Sequence, residues 1–200
     1  MSVAIAPKLM TTEELLAMPD DGVERWLING TLHEKQPEFP VKVKGKPLTV
    51  RNRFHSGTMA RISTVLNIWR DQQPEPRGQV LDGEAGVLLS SDPDSTVGID
   101  VVYISPEVAA GQTDSTTLIA GVPVLAVEIL SPSDTQGQIR DKVKTFLNSG
   151  VALVWVIDTD DQTVAVYRRG SKPQFFNADQ ELTAEPHLPG FLVAVAKLFE

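Results

Sequence analysis

The chain has 200 residues, 42% of them hydrophobic, a formal net charge of -8 and no cysteine. This length and apolar content suit one folded domain with a substantial core, and the absence of cysteine excludes disulfides and thiolate metal sites. The acidic balance disfavours indiscriminate binding to nucleic acid but leaves room for a local basic groove.

In chain order, residues 1–10 read as a flexible leader, and residues 11–200 as one domain. Thr11 and Glu14 have the spacing of a capping box, which predicts a short helix through Leu15, Leu16 and Met18 ended near Pro19. Asp20-Asp21-Gly22 reads as a turn, and Asn29-Gly30 as the hairpin turn between two short strands in 24–34. Residues 35–53 read as a proline-interrupted basic loop. His55, Met59, Ile62, Leu66 and Trp69 fall on one face of a helix over 53–72. Strands follow at 78–81, 86–89 and 97–104, with the acidic turn Ser91-Asp92-Pro93-Asp94 before the last, and 106–112 reads as a short helix or turn.

The run from Pro123 to Pro132 is apolar on both alternating sets, the pattern of a strand buried on both faces in the middle of a sheet. A helix over 134–149 is closed by Gly150. Strands at 151–157 and 163–169 surround a turn, and an irregular segment with a short strand at Phe175-Phe176 leads to a final apolar stretch over 190–199. No apolar run approaches the ~20 residues of a membrane helix, so no membrane partner is expected, and the lack of cysteine is compatible with a reducing cytoplasm.

Two residues break the apolar strands: Asp100, within 97–104, and Glu128, within 123–132. A buried carboxylate is costly unless it is paired, protonated or metal-bound. Taken singly, either one reads as a structural acceptor, His55 as a satisfied core histidine and the basic loop as solvated. Together, carboxylates on two buried strands can share Mg²⁺ or Mn²⁺, which keep positions for water and phosphate. On a regular helix, Lys142 lies about 80° from the centre of the apolar face set by Ile139, Val143, Phe146 and Leu147, whereas Lys144 lies roughly 120° away. Lys142 is therefore expected to reach back to the Glu128 strand, and Lys144 to face solvent.

At these residues the sequence resembles the Uma2 family (DUF820) of restriction-endonuclease-like proteins, which is similar to the PD-(D/E)XK nuclease superfamily. The resemblance runs from Thr11 to Phe199. It is carried by Met10-Thr11-Thr12-Glu13-Glu14-Leu15-Leu16, Leu27-Ile28-Asn29-Gly30-Thr31-Leu32, His55, Ile99-Asp100-Val101, Val127-Glu128-Ile129-Leu130-Ser131-Pro132-Ser133, Lys142, Phe146 and Gly150-Val151. Val154-Trp155-Val156-Ile157-Asp158 and Leu188-Pro189-Gly190-Phe191 also fit.

The resemblance implies an α/β (α+β) fold, a mixed central sheet flanked by helices, and a Mg²⁺- or Mn²⁺-dependent endonuclease hydrolysing DNA phosphodiester bonds. Asp100 and Glu128 would be metal ligands, Lys142 the catalytic lysine and His55 an accessory. Lys42, Lys44, Lys46, Arg51 and Arg53 of the basic loop would offer DNA contacts, and a homodimer is compatible with the superfamily. The alternative is a catalytically weak or inactive nuclease-fold protein that binds nucleic acid or a protein partner. Three positions depart from the family pattern: Ile99 stands for a proline, Gln138 for an acidic residue and Trp26 for a glutamate, with Glu24 two residues before it on the same strand face.

Overall fold

The computed structural model describes residues 8–35, 41–43, 46–48, 52–113, 115, 117–132 and 134–200. Helix α1 (Thr12–Leu16) begins with the expected capping box between Thr11 and Glu14. Strands β1 (Glu24–Ile28) and β2 (Thr31–Lys35) pair through Asn29 and Gly30, whose φ angles of 49° and 71° are the left-handed values of a tight hairpin turn. Where a loop is expected, β3 (Val41–Val43) and β4 (Lys46–Leu48) form a small separate hairpin. Proline interruption suggests a loop, but Pro47 is tolerated on a two-stranded ribbon, where each strand has a free edge.

Helix α2 (Arg53–Asp71) is capped by Asn52, whose side chain accepts the Phe54 and His55 amides. Next come β5 (Gln79–Ser90), β6 (Ser95–Ile104), α3 (Pro106–Ala110), β7 (Ile119–Ala120) and β8 (Leu125–Ile129). Helix α4 (Gln136–Ser149) ends on Gly150, held at a left-handed φ of 103°. The chain finishes with β9 (Leu153–Asp158), β10 (Thr163–Tyr167), β11 (Gln174–Phe176), β12 (Glu181–Thr183), β13 (Leu192–Ala194) and a 3-10 turn at Val195–Leu198. The short pairs β5–β7 and β12–β13 have too few alternating residues to be visible as sequence patterns.

Among the described residues, nine strands form one mixed sheet in the order β11-β10-β9-β8-β6-β1-β2, with β5 beside β6 and β7 beside β5. β8 and β9 are parallel and joined through α4; β6 and β8 are antiparallel. β8 is thus central and buried at all five positions, as its two-sided apolar pattern requires. One face packs against α2 through Ile62, Leu66, Val101, Val127 and Trp155. The other packs against α4 through Val143, Phe146, Ile99, Val102 and Ala126.

The two strands expected at 78–81 and 86–89 are one long strand, β5, with an irregularity between Asp82 and Ala85. Gly83 and Glu84 sit there with φ of 79° and 63°. The intervening glycines and acid break the apolar alternation, so the sequence divides what the backbone joins. Opposite this bulge the faces of β6 switch. Ile99 packs on the α4 side, whereas Val101 packs on the α2 side. Asp100 lies at that switch, and the bulge brings Glu84 to the same place.

Candidate active site

β6 and β8 pair from Tyr103 and Leu125 to Val101 and Val127. Beyond that point the Asp100 side chain takes over: its Oδ2 accepts the Ile129 amide at 2.7 Å. Its Oδ1 lies 3.3 Å from His55 Nε2, projected from the first turn of α2. His55 is 2% exposed and Asp100 5% exposed. His55 therefore points with the apolar stripe of α2, as its helical position requires.

Glu128 shares the parity of Ala126 and so faces α4. Lys142, two turns into α4, donates to Glu128 Oε2 at 2.8 Å. It also lies 3.9 Å from Glu24 Oε1. Lys144 is exposed, so the two lysines separate as the helical wheel requires. The start of α4 is fixed by Thr135 and Gln138, which form a reciprocal capping box. Gln138, where the family pattern has an acid, thereby satisfies the Thr135 amide at 3.0 Å.

Glu24, Lys35, His55, Glu84, Asp100, Glu128, Asp134 and Lys142 all border one small cavity of ≈ 10 Å³, about the volume a single water needs. The structure thus brings His55, Asp100, Glu128 and Lys142 together from three elements of secondary structure and the helix that follows β8. Burial pushes the Glu128 carboxyl up to about 7, with Asp100 and Glu24 adding repulsion and Lys142 opposing it. Burial disfavours the Lys142 ammonium, but the charges of Glu128 and Glu24 outweigh it and hold the group above the usual lysine range. The preferred state is a charged lysine against an acid that gives up its proton reluctantly.

Trp26 is 4% exposed, stacks on His33 at 5.6 Å and carries Lys142 Nζ 5.3 Å from its ring centroid. It lies beside Lys142, with Glu24 of the same strand closer to that lysine. The sequence reading leaves out Lys35, Glu84 and Asp134. Lys35 Nζ donates to Asp134 Oδ1 at 2.6 Å and to Ser131 Oγ at 2.8 Å, tying β2 to the segment after β8. Burial opposes ionisation of Asp134, but Lys35 and the Ser131 amide and hydroxyl hold its carboxyl below the usual range. Asp134 was legible in principle as the acid following Ser131-Pro132-Ser133; Glu84 had no signal short of the bulge.

Of the basic-loop residues, Lys44 and Arg51 lie outside the described residues, while Lys42 and Lys46 fall on β3 and β4. Arg53 opens α2 and is exposed, its guanidinium 4.3 Å from the Phe54 ring centre. No helix among the described residues is long and apolar enough to cross a membrane.

The donor set is suited to Mg²⁺ or Mn²⁺. It offers carboxylate oxygens with the His55 ring beside Asp100, and Glu128 Oε1 is buried without a hydrogen-bond partner. Among the described residues no group of three or more histidine, aspartate or glutamate side chains is placed to hold a metal ion.

The mixed sheet, covered by helices on both faces, thus carries carboxylates on adjacent central strands and a lysine on the crossover helix. A solved structure from Anabaena variabilis, described as "a putative nuclease belonging to DUF820", shares this fold with a TM-score of 0.75 and 20% identity, over 95% of this chain and 97% of that one. The model of the Uma2 family, described as "Putative restriction endonuclease", matches residues 12–196, and the chain belongs to that family. Comparison with curated proteins found no match.

Proposed function

We propose that this protein is a Mg²⁺-dependent endonuclease that hydrolyses phosphodiester bonds in DNA. The observation that carries the reading is the convergence of Asp100, Glu128 and Lys142 on one cavity, with one Glu128 oxygen buried and unpaired. Asp100 and Glu128 would hold the ion, which when bound supplies water activation and neutralises charge on the phosphate. Lys142 is a charged donor already aimed at the carboxylates, and it is placed to stabilise negative charge developing on a phosphate. His55 touches Asp100 and serves to position it. The buried β6 and β8 backbones fix both carboxylates, so little reorganisation is needed when substrate arrives.

The test is cleavage of supercoiled plasmid and single-stranded DNA with Mg²⁺ or Mn²⁺, comparing wild type with Lys142→Ala and Glu128→Gln. Metal-dependent nicking by wild type, lost in both variants, is expected. Cleavage that persists in chelator, or is equal in all three proteins, would sink the reading. A second reading, a nuclease-fold protein that binds nucleic acid or protein without cutting, draws on Trp26 standing where the family pattern has a glutamate. It predicts binding without cleavage under every metal condition.

A further inference from the structure

A second, larger pocket of ≈ 340 Å³ opens beside the small cavity, between α1, β1 and the β5–β6 ribbon. The two share Glu24, Glu84, Gly98 and Lys142, so anything held in the larger one adjoins whatever Lys142 meets. Its volume lies within the range of small-ligand sites. Leu16, Met18, Val97 and Leu118 make its apolar walls. Polar atoms occur at its inner end: the carboxylates of Glu24 and Glu84 are acceptors, and Lys142 is a donor. Trp26 also lines it, with Lys142 Nζ 5.3 Å from its ring centroid.

The chemistry excludes a phosphate here. The one arginine on the wall, Arg25, is already held by Asp21 at 2.7 Å and Glu34 at 2.8 Å, and the remaining charged groups are mostly acidic. Apolar walls with mixed donors and acceptors at one end instead fit a flat, neutral heterocycle with a hydrogen-bonding edge. We propose that this pocket receives an unstacked nucleobase next to the phosphate that Lys142 meets, so that the substrate is single-stranded or locally unpaired DNA. The inference rests on the nuclease reading for the nature of the ligand, and it deepens that reading by naming the state of the strand. A base in a paired duplex cannot enter a side pocket without leaving the stack.

Binding is measured on the full chain in chelator, where no hydrolysis occurs. The probes are short fluorescent single-stranded oligonucleotides that are identical except that one has a single abasic position at its centre. Wild type should prefer the intact strand by about tenfold, the scale of one buried base. Leu16→Trp and Leu118→Trp fill the pocket from separate elements, and melting curves establish that each is folded. In a folded variant the preference should fall to near unity, with affinity for the abasic strand unchanged. Equal affinity of wild type for the two strands, no binding of either, or a preference that survives in the folded filled variants overturns the proposal. The outcome is separable from the nuclease reading. A retained preference without any Mn²⁺-dependent cleavage defeats the nuclease and leaves the base pocket standing. Cleavage with no preference defeats the pocket alone.

Discussion

Asp100 Oδ2 takes the Ile129 amide at 2.7 Å, so one carboxylate finishes the β6–β8 ladder and also faces the site cavity. The two duties can be separated. Asp100→Ala leaves a buried N–H without a partner, which costs about 1–3 kcal/mol. Asp100→Asn keeps an acceptor for that amide while removing the charge. Relief of repulsion with Glu128 is common to both variants, so their difference isolates the hydrogen bond. In urea denaturation with chelator, Asp100→Asn should be the more stable of the two by about that amount, yet equally devoid of cleavage. Equal stability of the two variants would show that the Ile129 amide does not depend on Asp100.

The lysines of α4 give a second prediction. Lys142 and Glu128 are a buried pair, with side chains 13% and 7% exposed. Removing one partner of such a pair typically costs ~3–5 kcal/mol. Lys142→Ala should therefore lose both cleavage and stability, whereas Lys144→Ala, on the exposed face, should change stability by less than about 0.5 kcal/mol. The double variant Lys142→Met with Glu128→Gln should recover much of the stability and none of the activity. Similar losses from Lys142→Ala and Lys144→Ala would contradict the placement of the helix.

Glu128 sets the pH dependence. Its folded pKa is raised to about 7 from an ordinary value of 4.5, chiefly by burial. The native state therefore holds a proton that the unfolded chain releases between these values. The associated stability is full below about 4.5 and is lost as pH rises through about 7. Lys142, raised from its usual value, does not titrate in that window. In chelator, the stability of wild type minus that of Glu128→Gln should decline from pH 4.5 to pH 7 and level off above it. A flat difference would mean that Glu128 is ionised throughout.

Most of the central layer was legible because its residues obey local rules. The two-sided apolar run predicts a central β8, and the capping box at Thr11 marks a helix start. The stripe carrying His55 and the angular position of Lys142 predict the side chains' directions, and the contacts of both residues follow. What escaped depends on long-range geometry. The β5 bulge that delivers Glu84 is defined against β6, not by its own sequence. Lys35 joins the site only because β2 pairs with β1 and ends near Ser131. The β3–β4 hairpin was hidden by prolines that a two-stranded ribbon accommodates.

The last prediction concerns β1, where Trp26 and Glu24 compete for the role of the family's missing glutamate. Trp26 is buried in the α4-side core, stacked on His33, and set beside Lys142. Replacing such a tryptophan removes ~3–5 kcal/mol of packing, so Trp26→Glu should be strongly destabilised in chelator. Glu24 is the β1 carboxylate that reaches Lys142, at 3.9 Å, and it also borders the cavity. Mn²⁺ should raise the melting temperature of wild type, because a ligand at a hundred times its Kd stabilises the native state by about 2.7 kcal/mol. Glu128→Ala should abolish that shift and Glu24→Gln should reduce it, since removing a nearby acid weakens attraction for the cation. Trp26→Phe, which keeps an apolar ring, should leave the shift intact. A wild type that does not respond to millimolar Mn²⁺ would remove the metal from the site. A full response in Glu24→Gln would leave Asp100 and Glu128 as the ion's protein ligands, with no contribution from β1.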